Sequence, residues 1–512
     1  MSAPPAARAR LTALEGVGLA GALALAALAM APLRGYLTDD TFIHLQIARH
    51  LAQGLGPVFN PGERVYGFTS PLWVGLLALG MKLGLEGLVV ARALGGAATL
   101  AAVVCFFAIA RRTLASPALR VAATLAWAGH AWMARWSLSG METPLAVALV
   151  LAGFAALVAG ERGGGHRARV GLAWALAALA RPEAMLLVAL WAAALIADPA
   201  VRARPRHLVA GLAWPVILVG GWLLFARGYF GSFLPATLSA KAAGSGGWAG
   251  LADNLRRAVP AVLATDAVFV LAWLALARRG RGTPTDRPDG RIAAAWILLV
   301  PAIELARGVP LLTRYLLVVL PVLEWRAWVA IERAGLAGAE GARRMPSIAA
   351  LVAGLVLGNN VISYTGLVLP QVTSFTRAMH ASLIPFGRWI AAHAPADATV
   401  ATPDIGAIGW FGERRVLDLG GLVTPRMIPL LEREPFEDAL ARLDFADFAR
   451  PTFVLDRAAR ANDLLARSPY AAAFAPVDSA AVPNLGIARP GRVVYTLYRL
   501  DWSRVPRGRG GP

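Results

Sequence analysis

The chain has 512 residues, of which 57% are hydrophobic and 16% are charged, and its mean hydropathy is +0.57. Soluble domains carry roughly 25% charged residues, so this composition excludes an ordinary soluble globular protein and indicates an integral membrane protein. The net charge of +19 would suggest a nucleic-acid-binding protein if the chain were soluble. Because the arginines lie mainly in short segments between apolar runs, orientation in the membrane explains the charge better, and no nucleic-acid partner is expected.

The first apolar run, at about 16–33, follows a basic segment that contains Arg8 and Arg10. It lacks the small-residue pattern of a signal-peptidase cleavage site. We therefore predict a retained membrane anchor rather than a cleaved signal peptide.

Further apolar stretches are long enough, or nearly long enough, to cross a membrane. They lie at about 87–110, 121–136, 144–160, 208–228, 257–277, 292–308, 312–331 and 346–368. Two shorter stretches, 170–181 and 183–197, predict a hairpin of short helices around Arg181. The stretch 71–86 is interrupted by Lys82, so it is either re-entrant or shallow, and the expected total is about eleven to thirteen spans.

Arginine-rich loops indicate the cytoplasmic side of the membrane by the positive-inside rule. They are 161–169, 198–207, 278–291 and 332–344. Counting outward from them, we expect the loops 34–70, 137–143 and 229–256 to be extracytoplasmic. The tail after about residue 369 falls on the same side.

The pattern changes after residue 369. Short β-branched runs bounded by Gly, Pro and Asp predict strands, and two stretches with helical spacing predict helices. The strand-like runs are 398–411, 415–422, 451–456 and 492–500, and the helical stretches are 375–394 and 436–449. We therefore predict an α-helical polytopic membrane domain at 1–369 and an extracytoplasmic α/β domain at 370–512.

Two adjacent carboxylates, Asp39 and Asp40, follow the first apolar run directly. Thr38 or Asp39 can cap a helix that begins near Asp40 and lies along the membrane surface with one apolar face. Asp40 and His44 are four residues apart and share a face of that helix. The carboxylates either merely cap the helix or form a site at the mouth of the bundle, and we favour a site because one aspartate would suffice for capping.

An extracytoplasmic Asp-Asp pair after the first span resembles the GT-C glycosyltransferases, which use polyprenyl-phosphate sugars. The closer resemblance is to the bacterial subgroup that includes the mycobacterial terminal arabinofuranosyltransferases. It rests on an ordered set of segments, 39–73, 139–145, 179–187, 229–241, 313–321 and 402–422. Ala236 departs from the family pattern, which has an asparagine there. The resemblance implies a GT-C-like enzyme of the bacterial plasma membrane that passes a sugar from a polyprenyl-phosphate donor to an envelope glycan or glycolipid.

In such a transfer the acceptor hydroxyl loses a proton as it attacks the anomeric carbon, and a carboxylate within hydrogen-bond reach can accept that proton. We expect Asp39 or Asp40 to be this base in a single inverting displacement, while the other orients the acceptor or helps to bind a metal. The pair also offers oxygen ligands for a divalent cation such as Mg²⁺ or Mn²⁺, so the metal requirement stays open.

The leaving lipid phosphate needs cations near it. The candidates are Lys241, Arg314 and Arg181. The alternatives are a solvated loop charge for Lys241, snorkelling to the membrane interface for Arg314, and a structural ion pair with Glu183 for Arg181.

Further polar residues are candidates for acceptor binding or for other contacts in the site. They are His44, Glu63, Glu142, Glu183 and Asp404. A turn role for Glu63 and Asp404 and a helix-capping role for Glu142 explain these residues about as well.

Two other classes of protein stay open. A transporter or flippase of lipid-linked sugars would share the polar groove and the basic patch, although no paired inverted repeat is evident in the sequence. A non-catalytic envelope-assembly protein would have a degenerate site, and the presence of both aspartates and the basic residues argues against it.

Overall fold

The computed structural model describes most of the chain. The described residues are 11–160, 164–236, 248–278, 287–306, 312–335, 339–483 and 491–506. The predicted phosphate ligand Lys241 lies outside the described residues, as do parts of the loops 161–169, 229–256, 278–291 and 332–344.

Helices form most of the described chain. In order they are α1 Ala13–Met30, α2 Asp39–Ala52, α3 Pro71–Lys82, α4 Gly87–Thr113, α5 Pro117–Ala128, α6 Ala131–Ser137, α7 Thr143–Ala159, α8 Gly164–Ala180, α9 Met185–Ala197, α10 Pro199–Arg202, α11 Pro205–Trp214 and α12 Gly221–Phe230. They continue with α13 Trp248–Arg278, α14 Pro288–Ala306, α15 Thr313–Leu316, α16 Leu320–Gly335, α17 Ala339–Ser363, α18 Leu369–Ala381, α19 Leu383–His393, α20 Ile405–Gly412, α21 Ile428–Leu431, α22 Phe436–Arg442 and α23 Asp463–Arg467.

Within the described residues, four helical stretches are long and apolar enough to cross a membrane. They are Ala13–Leu33, Gly87–Thr113, Pro205–Phe230 and Arg343–His393. Shorter apolar helices accompany them at Pro71–Lys82, Thr143–Ala159 and Pro182–Ala197. With the composition of the chain, these helices make the protein a multi-pass membrane protein.

Two predicted spans are broken helices, which corrects the sequence interpretation. The stretch 121–136 divides at Gly129, where α5 ends, and the His130 side chain then caps α6. The stretch 312–331 divides into α15 and α16 at a turn. Periodicity alone missed both breaks, because the flanking residues are as apolar as those inside the helices.

The uncertain stretch 71–86 and the predicted span 87–110 together contain one helix long enough to cross the membrane. The 12 residues of α3 extend only about 18 Å, which is too short for a hydrocarbon core of about 30 Å. The 27 residues of α4 extend about 40 Å. Glu86 separates the two helices, and its carboxylate caps α4 by accepting from the Leu88 and Val89 N–H groups.

The C-terminal part contains a five-stranded sheet in the order β2-β1-β3-β5-β4. The strands are β1 Thr399–Thr402, β2 Arg415–Asp418, β3 Phe453–Ala458, β4 Phe474–Pro483 and β5 Arg492–Leu500. β1 pairs in parallel with β2 and β3, whereas β5 is antiparallel to β3 and β4. A sheet with helices around it confirms the predicted α/β character of this part.

Two local predictions in this part were wrong, and one strand was missed. The second half of 398–411 is α20 and not a strand, and its Gly406 and Gly409 allow this helix to pack closely against Asp39 and Phe59. β4 was missed, since its Asp, Ser and Pro residues hide the strand pattern. In 436–449 only the first half is helical, because α22 ends where Leu443 adopts a φ of 55°.

One apolar core joins the C-terminal part to the N-terminal loop region. It includes Phe42 on α2, Phe59 in the following loop and Ile408 on α20. Consequently α2 is buried on most of its surface between α3 and α20, rather than having the single apolar face that we predicted. A continuous helical stretch, Arg343–His393, runs through the predicted boundary at 369/370, which stays a prediction.

The orientation of the chain can be tested with reporter fusions. The arginine distribution predicts that the loop 278–291 is cytoplasmic and that residues 370–512 are extracytoplasmic. Fusions after residue 285 and after residue 400 should therefore report opposite sides of the membrane. If both fusions report the same compartment, the orientation is wrong.

Candidate active site

Asp39 lies at the first position of α2 and faces the N-terminus of α20. Thr38 caps α2 by accepting from the Thr41 N–H, which leaves the Asp39 carboxylate available for other partners. The Gly406 N–H donates to its Oδ2 at 2.9 Å, and the Ala407 N–H donates to its Oδ1 at 2.8 Å. The free N–H groups at the start of a helix favour such a negative charge.

The contact between α2 and α20 requires a glycine. A Cβ built on Gly406 would collide with the Asp39 carbonyl oxygen and would lie 3.0 Å from its Cγ. Gly406 therefore allows the backbone of α20 to approach the carboxylate closely.

Asp404 precedes α20 and is held by two residues of the sheet. The Arg457 Nη1 donates to both carboxylate oxygens at 2.8 and 2.9 Å, and the Tyr495 hydroxyl donates to Oδ2 at 2.7 Å. Arg457 lies on β3 and Tyr495 on β5, so the sheet fixes the residue that begins α20. The structure thus places Asp404 beside Asp39 and supplies its charge partner.

The ionisation of Asp39 reflects this setting. Burial raises the pKa of Asp39, and the negative charge of Asp404 raises it further, to about 7. The hydrogen bonds from the backbone N–H groups of Ala407 and Gly406 act in the opposite direction. A carboxyl group with this pKa changes its protonation state near neutral pH, which suits a group that accepts and returns a proton.

Asp40 points to a different partner. The Arg314 Nη2 lies 2.6 Å from the Asp40 Oδ2, and the Asp40 side chain is 45% exposed whereas that of Arg314 is 7% exposed. The Arg314 guanidinium also lies over the rings of Trp136 and Tyr315, at 5.6 and 5.4 Å from their centroids. Arg314 is thus buried and paired, and it does not extend into solvent as a snorkelling residue would.

A second buried arginine belongs to the same group of side chains. The Arg181 Nη1 donates to Glu142 Oε1 at 2.9 Å, and its Nη2 donates to Glu183 Oε1 at 2.7 Å. The guanidinium lies 5.1 Å from the ring centroid of Tyr315, the residue that also contacts Arg314. Tyr315 therefore joins the two arginines, and the sequence analysis had not singled it out.

His44 lies one turn after Asp40 on α2 and is buried. Its Nδ1 donates to the Asp40 carbonyl oxygen at 3.1 Å. Burial lowers the pKa of His44, with the charges of Glu142 and Asp40 acting in the opposite direction. A neutral His44 therefore supports the start of α2 beside the carboxylates.

Glu63 belongs to a separate contact. It accepts from the Asn60 side chain at 2.8 Å and pairs with Arg415 at the start of β2, while Asn60 bonds to the Val416 backbone. Among the described residues, no contact joins Glu63 to the aspartates. Its observed role is to attach the loop 34–70 to the sheet.

The predicted site residues thus fall into three sets. Eight of them lie in one connected group: Asp39, Asp40, His44, Glu142, Arg181, Glu183, Arg314 and Asp404. Glu63 lies apart, and Lys241 lies outside the described residues. The sequence analysis missed Gly406, Tyr315, Arg457 and Tyr495, because no local pattern marks residues whose partners are far along the chain.

The predicted metal ligands already have other partners. Both oxygens of Asp39 accept from backbone N–H groups, and Asp40 pairs with Arg314. Within the described residues, neither aspartate belongs to a cluster of three metal-ligating side chains. A cation at this pair would therefore compete with these donors, and the metal requirement stays a prediction.

The fold is similar to that of solved structures of ArnT. ArnT from Cupriavidus metallidurans, solved bound to undecaprenyl phosphate, aligns with a TM-score of 0.58 and 15% identity over 97% of this chain and 99% of ArnT. The chain therefore shares the fold of ArnT, and the predicted fold class, a polytopic helical membrane protein with a C-terminal α/β part, is confirmed.

Sequence relatives give a more particular likeness. The chain is 30% identical over 301 residues to a terminal beta-(1->2)-arabinofuranosyltransferase of Mycobacterium tuberculosis, covering 51% of this chain and 45% of that protein. It is 29% identical over 243 residues to the protein of the same name from Corynebacterium glutamicum, covering 42% and 34%. The matches span less than half the length of either relative. Residues 373–499 also match a family described as a domain of unknown function (DUF8728).

Proposed function

We propose that this protein is a membrane glycosyltransferase that moves a sugar from a polyprenyl-phosphate donor to an acceptor hydroxyl of an envelope glycan or glycolipid. The observation that carries the proposal is the connected group at the start of α2. There a carboxylate with a pKa near 7, Asp39, lies one residue from a carboxylate that pairs with a buried arginine, Arg314. An acid–base residue beside a cation is what this reaction needs.

The two buried arginines are the proposed donor site. Arg314 and Arg181 both lie close to the Tyr315 ring, and their guanidinium groups can form charge-assisted hydrogen bonds with a phosphate. The Arg314 Nε makes no hydrogen bond to any described residue, so this arginine retains a donor for a ligand. The likeness to ArnT, which was solved with a polyprenyl phosphate, supports the same class of donor here. Lys241 stays a predicted third cation.

We assign unequal roles to the two aspartates. Asp39 is the proposed general base, because burial and Asp404 raise its pKa towards the operating pH while α20 fixes its orientation. Asp40 is the proposed positioning residue, because it holds Arg314 and is exposed enough to contact the acceptor. As the acceptor oxygen attacks the anomeric carbon, its proton passes to Asp39 and the sugar–phosphate bond breaks, which inverts the configuration at that carbon.

The proposal is tested with purified full-length protein and a panel of polyprenyl-phosphate pentoses and hexoses. We expect one donor to be consumed, with release of polyprenyl phosphate and formation of a glycosylated acceptor. An Arg314→Ala variant should bind that donor more weakly, because the phosphate loses its main cation. A protein that moves a lipid-linked sugar across vesicles without cleaving it would be a flippase, and that result would overturn the proposal.

A further inference from the structure

A second cluster of ionisable side chains, which shares no residue with the candidate active site, lies inside the helical bundle. It consists of His130 between α5 and α6, Asp266 on α13 and Glu324 on α16. The exposed fractions of these side chains are 0%, 0% and 1%. α13 is kinked at Asp266, which has the non-helical angles φ −117° and ψ 15°. Ionisable groups at such positions in a membrane protein are costly and are usually functional.

The geometry of the cluster fits a metal ion. The His130 Nε2 lies 3.3 Å from Asp266 Oδ2 and 3.7 Å from Glu324 Oε1. The ligand atoms of all three residues lie within 4.8 Å of one another. Tetrahedral zinc sites have metal–ligand bonds of about 2.0–2.2 Å, which places neighbouring ligand atoms roughly 3.3–3.6 Å apart.

The electrostatics of the cluster also favour a bound cation. Asp266 Oδ2 accepts from the Thr265 hydroxyl at 2.6 Å, but Asp266 Oδ1 and both oxygens of Glu324 accept no hydrogen bond from any described residue. Within the described part of the chain, neither carboxylate pairs with a lysine or an arginine. Two carboxyl groups buried side by side repel each other when both are ionised, and one divalent cation would neutralise the pair.

The histidine must change its tautomer when the metal binds. The Met133 N–H donates to His130 Nδ1 at 3.3 Å, which assigns the proton of the neutral, metal-free ring to Nε2. A metal at Nε2 moves that proton to Nδ1 and removes this hydrogen bond. This hydrogen bond is longer than the usual 2.7–3.2 Å for an N–H donor. Its loss therefore costs little free energy compared with the free energy gained when the metal neutralises the two buried carboxylates.

We propose that His130, Asp266 and Glu324 bind a divalent transition metal, with zinc as the best match to this set of one nitrogen and two oxygen donors. The ion would link three elements: the break between α5 and α6, the kink of α13, and α16. The proposed metal site does not depend on the glycosyltransferase proposal.

The test measures the metal content of purified full-length protein from cells supplied with zinc. We expect about one zinc ion per chain in the parent protein and at least a tenfold lower content in Glu324→Gln. Chelation should lower the melting temperature of the parent, and added Zn²⁺ should restore it. Glu324→Gln should show neither change, and because glutamine has nearly the same size as glutamic acid and carries no charge to bury, the variant should still fold.

The matched control is Glu332→Gln. Glu332 is also buried on α16, but it accepts from the Ala115 and Ser116 N–H groups, and among the described residues no hydrogen bond or ion pair joins it to the cluster. This variant should retain zinc. The proposal is overturned if the parent holds no zinc and gains no thermal stability from Zn²⁺, which would mean that the carboxyl groups share a proton instead. It is also overturned if Glu324→Gln holds as much zinc as the parent.

Discussion

Asp39→Asn and Asp40→Asn should each reduce sugar transfer by about 10²–10⁴-fold while the protein still inserts and binds donor. Asparagine at position 39 removes the proposed base, and asparagine at position 40 removes the charge that holds Arg314. Turnover, donor affinity and melting temperature would be measured on the same preparations. Normal transfer by both variants would show that the pair only caps α2 and that the active site lies elsewhere.

The pH profile separates the two roles. A base must be deprotonated to accept a proton, so kcat/KM of the parent should rise with pH up to about 7, the pKa of Asp39, and should be constant above it. The residual rate of Asp39→Asn should lack this rise, whereas that of Asp40→Asn should retain it. A rise that survives in Asp39→Asn would assign the base to another group.

The stability of the two variants should differ as well. Because the pKa of Asp39 is higher in the folded protein than in the unfolded chain, its ionisation lowers stability as pH rises from about 4 to about 7. Asp39→Asn should therefore melt near the parent above pH 7, since the removal of a desolvated charge offsets the loss of one backbone hydrogen bond. Asp40→Asn should melt lower, because it leaves the buried Arg314 without its carboxylate.

Gly406→Ala should reduce turnover by about 10²-fold although it removes no polar group. The added methyl group would collide with the Asp39 carbonyl oxygen and push α20 away from α2, so the two N–H donors to the Asp39 carboxylate would move out of reach. Donor binding should change little, because the arginines lie on the Asp40 side of the group.

Gly412→Ala is the matched control for this substitution. Gly412 ends the same helix, and a Cβ there would meet the Ile390 side chain at 3.4 Å, an ordinary contact. This variant should keep parental turnover. If Gly406→Ala also turned over normally, the contact between α2 and α20 would have no part in catalysis.

The sequence by itself determined the features that depend on local pattern. Hydropathy identified a multi-pass membrane protein, and β-branched runs located β1, β2, β3 and β5. The pair Asp39 and Asp40 was recognisable because two adjacent carboxylates after an apolar span are costly without a purpose. Each of these features depends on a few neighbouring residues, so hydrophobic periodicity and charge in the sequence are enough to identify it.

Only the tertiary structure decided which partners these residues have. The N–H groups that hold Asp39 are more than 360 residues further along the chain, and the arginine that pairs with Asp40 is 274 residues away. His130 and Asp266 are separated by 136 residues, and each alone resembles an isolated polar residue in an apolar helix. Buried charges and backbone donors are satisfied by whichever groups the packed fold brings to them, and that juxtaposition leaves no local mark in the sequence.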